Sequence, residues 1–267
     1  SAASDVYKRQ DEDHCGGLSA VLASTRTDAF YCSVDSWHTK VFSDVTKYVA
    51  EQGISVTIPQ AGDTFAFSDA SVEFLGPVVD YGDDPNEGSL VARVRYGETS
   101  FLFTGDMGFE AEDDMLAAGV DVSATVLKVA HHGSAGSSST EFLQAVHPQY
   151  AVISVGADND YGHPTEAALN RLSACGIPVY RTDLLGEIIA VSDGKTVTIT
   201  SASNEAPPAS DAASQTAGSY GYVGNSSSKV VHLASCGKLP GESNRVYFAS
   251  LDEALAAGYR KHANCLG

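Results

Sequence analysis

No stretch of the 267-residue chain approaches the ~18 consecutive apolar residues of a membrane-spanning helix. Residues 1–20 also lack the apolar run of a signal peptide. Basic residues are scarce: 16 Lys and Arg stand against 34 Asp and Glu, for a net charge of −18. The deficit is uneven. Residues 1–204 hold 11 basic and 29 acidic side chains, whereas residues 219–267 hold 5 and 3. A broad basic surface for nucleic acid is therefore excluded from the large part, unless bound cations meet the phosphates there. Five scattered cysteines are too few for a disulfide scaffold. With 43% hydrophobic residues, the chain can nevertheless bury a core.

Residues 1–10 (SAASDVYKRQ) do not join sensibly to the segment from residue 11 onward and read as a non-native scar. Helical spacing marks residues 17–26 and 40–53, and short strands are predicted at 54–58, 65–67 and 72–74. Residues 89–95 alternate with period two, and 101–103 come next as their partner across a turn at Gly97. Farther on, helices are predicted at 110–118, 139–146 and 165–175, between strands at 126–129, 150–155 and 179–182. Strands at 187–191 and 196–200 close the pattern. Such alternation predicts a layered α/β domain. Residues 204–219 are rich in Ala, Ser and Pro and read as a linker. The module at 220–267 is small enough to need a staple.

Four clusters carry chemistry in the large domain. They are Asp11-Glu12-Asp13-His14, Thr104-Gly105-Asp106, His131-His132-Gly133-Ser134 and Tyr161-Gly162-His163-Pro164. Each puts Asp or His where an apolar strand ends or a helix begins, and such loops gather at one edge of an α/β sheet. Carboxylate and imidazole together suit Zn, Mn or Fe. Taken singly, an Asp-His pair is more often a helix cap and a His-Pro more often a turn. His38, after Trp37, reads as a packing or surface residue, and His147-Pro148 as a helix end. Cys15, Cys32 and Cys175 read as unpaired core residues.

In their order, these clusters resemble the metallo-β-lactamase superfamily, and more narrowly the nuclease-like domain of the ComEC-type competence proteins. The resemblance spans residues 11–203. Further matches are Asn86-Glu87-Gly88-Ser89-Leu90-Val91, the run from Leu127-Lys128-Val129 into the two histidines, and Tyr180-Arg181-Thr182-Asp183. It implies an αββα sandwich and a divalent metal, Zn or Mn, held by Asp11, Asp13, His14, Asp106 and His163, with Asp106 bridging. Arg9, Asp11 and Asn86 stand where the superfamily has histidines, so one of its two metal sites is altered here. The resemblance also implies further strands upstream, so the domain is expected to be N-terminally truncated. It is expected to come from an exported or cell-surface bacterial protein.

The expected activity is a DNA phosphodiesterase. A metal-held water would attack, His131 or His132 would bind phosphate or protonate the leaving oxygen, and Lys128 and Ser134 would help hold the phosphate. Lys128 reads equally as a solvated strand end. Two alternatives stand beside this. One is a metallo-hydrolase of small esters, lactones or lactams; the other is a non-catalytic DNA-binding protein with a degenerate metal site.

The C-terminal module holds His232-x-x-x-Cys236 and His262-x-x-Cys265, with 25 residues between the pairs. Two Cys and two His at that spacing predict a structural zinc site, the rival being a Cys236–Cys265 disulfide. The module resembles the Ada metal-binding domain through Val230-Val231-His232-Leu233, Asn244-Arg245-Val246-Tyr247-Phe248 and Ala257-Gly258-Tyr259-Arg260. The Ada domain has four cysteines, one of which accepts a methyl group. With His232 at that place, the resemblance implies zinc and a DNA contact, and argues against methyl acceptance.

Overall fold

The computed structural model describes residues 14–35, 39–82, 84–202, 222–233, 236, 238–241, 244–248, 251–262 and 265. They fall into two compact units, divided between Gln60 and Ala61. Asp11, Asp13, Arg9, Trp37 and His38 lie outside the described residues.

In the first unit, α1 (Leu18–Ser24) and α2 (Lys40–Glu51) pack through Leu22, Val45 and Val49, with Cys15, Phe30, Tyr48, Ile54 and Val56 against them. Thr39 caps α2 by accepting from Phe42 N. A parallel pair joins β1 (Phe30–Tyr31) to β2 (Val56–Thr57). The strand predicted over residues 54–58 shortens to two residues.

The second unit is a mixed α/β fold around a seven-stranded sheet, in keeping with the expected fold class. Its strands are β3 (Thr64–Phe67), β4 (Ala70–Gly76), β5 (Val91–Tyr96), β6 (Thr99–Phe103), β7 (Val126–Lys128), β8 (Tyr150–Ile153) and β9 (Val179–Arg181), lying side by side in chain order. β3 to β6 pair antiparallel, and the β5–β6 hairpin closes through Gly97 as its alternation predicts. From β6 to β9 the pairing is parallel. A parallel step needs a crossover. Helices α3 (Phe109–Ala117), α4 (Thr140–Val146) and α5 (Glu166–Ala174) supply the three crossovers.

This switch to parallel pairing positions the site. The chain leaves β6, β7, β8 and β9 at the same edge of the sheet. The loops carrying Asp106, the His131-His132 pair and His163 therefore emerge side by side. Beneath them Leu102, Leu127, Ala151 and Ile153 are fully buried between strands and helices, against Met107, Met115, Phe142 and Leu172.

A short helix, α6 (Thr182–Leu185), succeeds β9 where the strand was expected to run on to Thr182. The Thr182 hydroxyl turns back to bond both N and O of Val155, which ends the strand. β10 (Ile188–Ser192) and β11 (Val197–Ser201) form a separate hairpin. Beyond it, β12 (Tyr222–Asn225), β13 (Val230–Leu233), β14 (Arg245–Phe248) and β15 (Arg260–Lys261) form a four-stranded sheet in the order β14-β12-β13-β15, with helix α7 (Leu251–Ala256). Its small core is Val231, Val246, Phe248, Ala254 and Tyr259. β14 lies against α5. Among the described residues, no helix is long and apolar enough to cross a membrane.

Candidate metal centres

The first centre is built on three loops. After β6, Thr104 donates its hydroxyl to Lys128 O at 2.7 Å, and Gly105 takes a left-handed backbone with φ 53°. A Cβ on Gly105 would stand 2.8 Å from the Ser89 hydroxyl. That same hydroxyl accepts from Asp106 N at 3.0 Å. Asp106, only 5% exposed, is thereby aimed by a serine from the segment before β5. Glu87 of that segment accepts from Gly108 N and Ala111 N at 3.2 and 2.8 Å, capping α3, which has no cap of its own.

After β7 the chain makes a tight 3-10 turn, and two successive non-glycine residues turn left-handed: His131 with φ 48° and His132 with φ 52°. Such backbone costs ~1–3 kcal/mol per residue and persists only where the surroundings impose it. Here His131 N donates to Gly105 O, and Gly133 O accepts from both the N and the hydroxyl of Thr165. Gly133, with φ 82°, could carry no Cβ, which would meet Pro164 at 2.6 Å.

After β8, Asn159 holds the third loop. Its amide accepts from His163 N and donates to His163 O and Gly156 O. Tyr161 is exposed and its ring stacks on that of His163, with centroids 6.0 Å apart.

The outcome is a convergence of one carboxylate and three imidazoles. His132 Nε2 lies 3.5 Å from Asp106 Oδ1 and His131 Nε2 3.9 Å from Oδ2. The rings of His131 and His163 meet edge to face at 5.7 Å. His132 Nδ1 stands 2.6 Å from Ser154 O; a carbonyl only accepts, so Nδ1 carries a proton and donates it there. Burial, with His131 and His132 adding, holds the His163 imidazole below its usual range, while Asp106 pulls the other way. His163 Nδ1 is buried with no hydrogen-bond partner among the described residues. An oxygen donor, several imidazoles and an unsatisfied ring nitrogen fit a borderline divalent cation.

Lys128 ends β7 and donates to Val129 O at 2.9 Å. The Ser134 hydroxyl accepts from Gly136 N at 3.3 Å. His14 belongs to the first unit, where it begins a short helical turn ahead of α1. Motif reading singled out Asp106, His131, His132 and His163 but passed over Ser89 and Asn159, which hold two of their loops, and Glu87, which caps α3.

The second centre is local. β13 and β15 pair in parallel with Val231 opposite Lys261, which brings His232 beside His262. Their rings stand 4.1 Å apart. His262 Nδ1 lies 3.9 Å from Cys236 Sγ and 3.2 Å from Cys265 Sγ. One ligand atom from each of the four residues fits within a 4.8 Å span. Burial, with His262 adding, lowers the affinity of His232 for protons, and burial, with Cys236 adding, raises that of the Cys265 thiol. His232 Nδ1 is buried without a hydrogen-bond partner among the described residues. All five cysteines are free. His147 does end a helix, capping α4 with φ 46°.

The sequence profile of the metallo-β-lactamase superfamily matches residues 10–157. The chain is 32% identical over 183 residues to ComE operon protein 3 of Bacillus subtilis, and 36% over 184 residues to competence protein ComA of Neisseria gonorrhoeae. It is 30% identical over 185 residues to recombination protein 2 of Haemophilus influenzae. Each match covers 68% of this chain, but only 24%, 24% and 21% of these relatives respectively.

Proposed function

Because this chain belongs to the metallo-β-lactamase superfamily, a family of metal-dependent hydrolases, we propose that it is a DNA phosphodiesterase whose sheet-edge centre activates water with a divalent cation. The observation that carries the reading is the meeting of Asp106, His131, His132 and His163 at the ends of parallel strands, with His132 anchored through Ser154. The names of the relatives speak of competence and recombination, both matters of DNA.

In this reading Asp106, His132 and His163 hold the cation, joined by Asp11, Asp13 and His14 as the family resemblance implies. A bound Zn or Mn ion would supply a water of lowered pKa and polarise a phosphoryl oxygen. His131 is assigned to the substrate. Its Nε2 sits 3.9 Å from Asp106 Oδ2, placed to bind the phosphate and pass a proton to the leaving oxygen. Asp106 orients that ring. Lys128 is a phosphate contact once it releases Val129 O, and Ser134 is a weaker one, because its hydroxyl already holds the turn. The domain is assigned to residues 11–203, the linker to 204–219 and the zinc module to 220–267. That module, resembling the Ada domain, is assigned a structural zinc on His232, Cys236, His262 and Cys265. Its basic balance and the exposed Arg260 and Lys261 suit a DNA contact.

The test is cleavage of fluorescent single- and double-stranded DNA with added Mn²⁺ or Zn²⁺, run beside a lactone, a thioester and a β-lactam. DNA cutting abolished by His131→Ala, with metal content unchanged, supports the assignment. Turnover of a small ester or lactam in place of DNA sinks it.

A further inference from the structure

Two buried charges serve neither centre directly. Glu112 on α3 is wholly buried and Arg171 on α5 is 2% exposed. Both reach the same stretch, residues 134–139, which comes directly after the left-handed His131-His132-Gly133. Glu112 accepts from Ser138 N and, at 2.7 Å, from Ser139 N. From the other side Arg171 donates to Ala135 O, Ser137 O and Ser138 O at 3.0, 2.7 and 2.8 Å. Phe109 N closes the frame on Gly136 O at 3.0 Å. Ser138 is itself left-handed, with φ 59°.

The origins of the two side chains give this meaning. α3 is the helix after Asp106, and α5 the helix after His163. The stretch between them is anchored to the histidine turn, since Ser137 donates its hydroxyl to Ala130 O. One charge from each flanking loop system therefore grips the third. Buried ions are expensive, and apolar side chains of like volume often give equal or greater stability. What an apolar pair cannot do is fix the register of a strained backbone by five directed bonds.

We propose that Glu112 and Arg171 are positioning residues of the sheet-edge centre. By holding residues 134–139 between α3 and α5, they set where His131 and His132 stand relative to Asp106 and His163. The inference rests on the reading of that centre as a cation site. It can be tested apart from that reading, because histidine positions are observable without metal.

The experiment uses the full chain as Glu112→Gln and Arg171→Lys, with Arg93→Gln as a matched control. Arg93 is also a buried arginine bonded to backbone carbonyls, Asp121 O and Ser123 O, but these precede β7 at the opposite end of the strand. Ring-nitrogen NMR of His131 and His132 is recorded without metal, and Mn²⁺ affinity is measured by calorimetry with the C-terminal zinc in place. Circular dichroism checks the fold. Glu112→Gln and Arg171→Lys are expected to shift both histidines' ring signals and to weaken Mn²⁺ binding by ~10–100-fold while keeping the fold. Arg93→Gln should lower the melting temperature and leave ring signals and affinity as in wild type. Unchanged ring signals in a folded Glu112→Gln, or equal shifts in Arg93→Gln, overturn the proposal. Should Glu112→Gln not fold, Arg171→Lys carries the same test. A wild type that takes up no Mn²⁺ would count against the cation reading alone, and the ring signals would still decide the positioning.

Discussion

The two candidate centres are built in opposite ways. At the sheet edge the candidate ligands come from loops far apart in sequence, and a large core packs beneath them: Leu102, Leu127, Ala151 and Ile153 are buried. Serine, asparagine and glutamate side chains aim the ligands, and the backbone is held in left-handed conformations to do so. In the C-terminal module two His and two Cys sit on or beside a short parallel strand pair, over a small core among the described residues. There a cation would hold the fold together. At the sheet edge the fold holds a place for the cation. The contrast teaches that metal-ligand residues can serve stability or chemistry, and that the apolar volume beneath them tells which.

Stripping metal should break this symmetry most visibly. Structural zinc contributes ~10–16 kcal/mol of apparent folding free energy in small modules. With chelator, hydrogen exchange should collapse over residues 222–262, while amides of β6, β7 and β8 stay protected. Next in size, His262→Ala should unfold the module even with zinc supplied. His163→Ala should instead keep thermal stability within ~1 kcal/mol of wild type, since it removes a half-buried, unsatisfied ring, and should abolish cleavage. Equal melting losses in the two variants would erase the distinction.

A smaller effect is expected at the glycines. Gly133→Ala should cost ~2–4 kcal/mol, because a left-handed alanine would also collide with Pro164. Gly176→Ala, left-handed but in open space, should cost ~1 kcal/mol. Urea unfolding measures both. A further effect concerns Glu112, whose carboxyl burial pushes up from the ordinary 4.5 to about 7. The folded chain then holds that proton more tightly than the unfolded one. Its contribution is complete below pH 4.5 and lost as pH rises through 7. Wild-type stability relative to Glu112→Gln should fall across that window and be flat outside it. A rise instead would mean that Arg171 and the loop amides outweigh burial.

Much of the sheet-edge centre was legible in sequence because Asp106 and the His131-His132 pair come just after apolar strands. Strand, turn and His or Asp are contiguous at residues 101–106 and 126–132. The four-ligand module was legible from spacing alone. What escaped depends on partners distant in sequence. Glu112 and Arg171 are charged, and helical periodicity assigns charge to the solvent face; the loop they share lies far from both in sequence. The contact of His132 with Ser154 O was equally hidden. Ala70–Gly76 ran longer than its predicted strand, because pairing on both sides extends it beyond the apolar residues.

The most direct test of two separate centres is metal content per chain in the wild type, Asp106→Ala and Cys265→Ala, measured by elemental analysis after equilibration with Zn²⁺ and Mn²⁺. The account predicts that Asp106→Ala loses only the sheet-edge metal and keeps one zinc, and that Cys265→Ala does the reverse. An Asp106→Ala chain that retains its full complement of metal would contradict it.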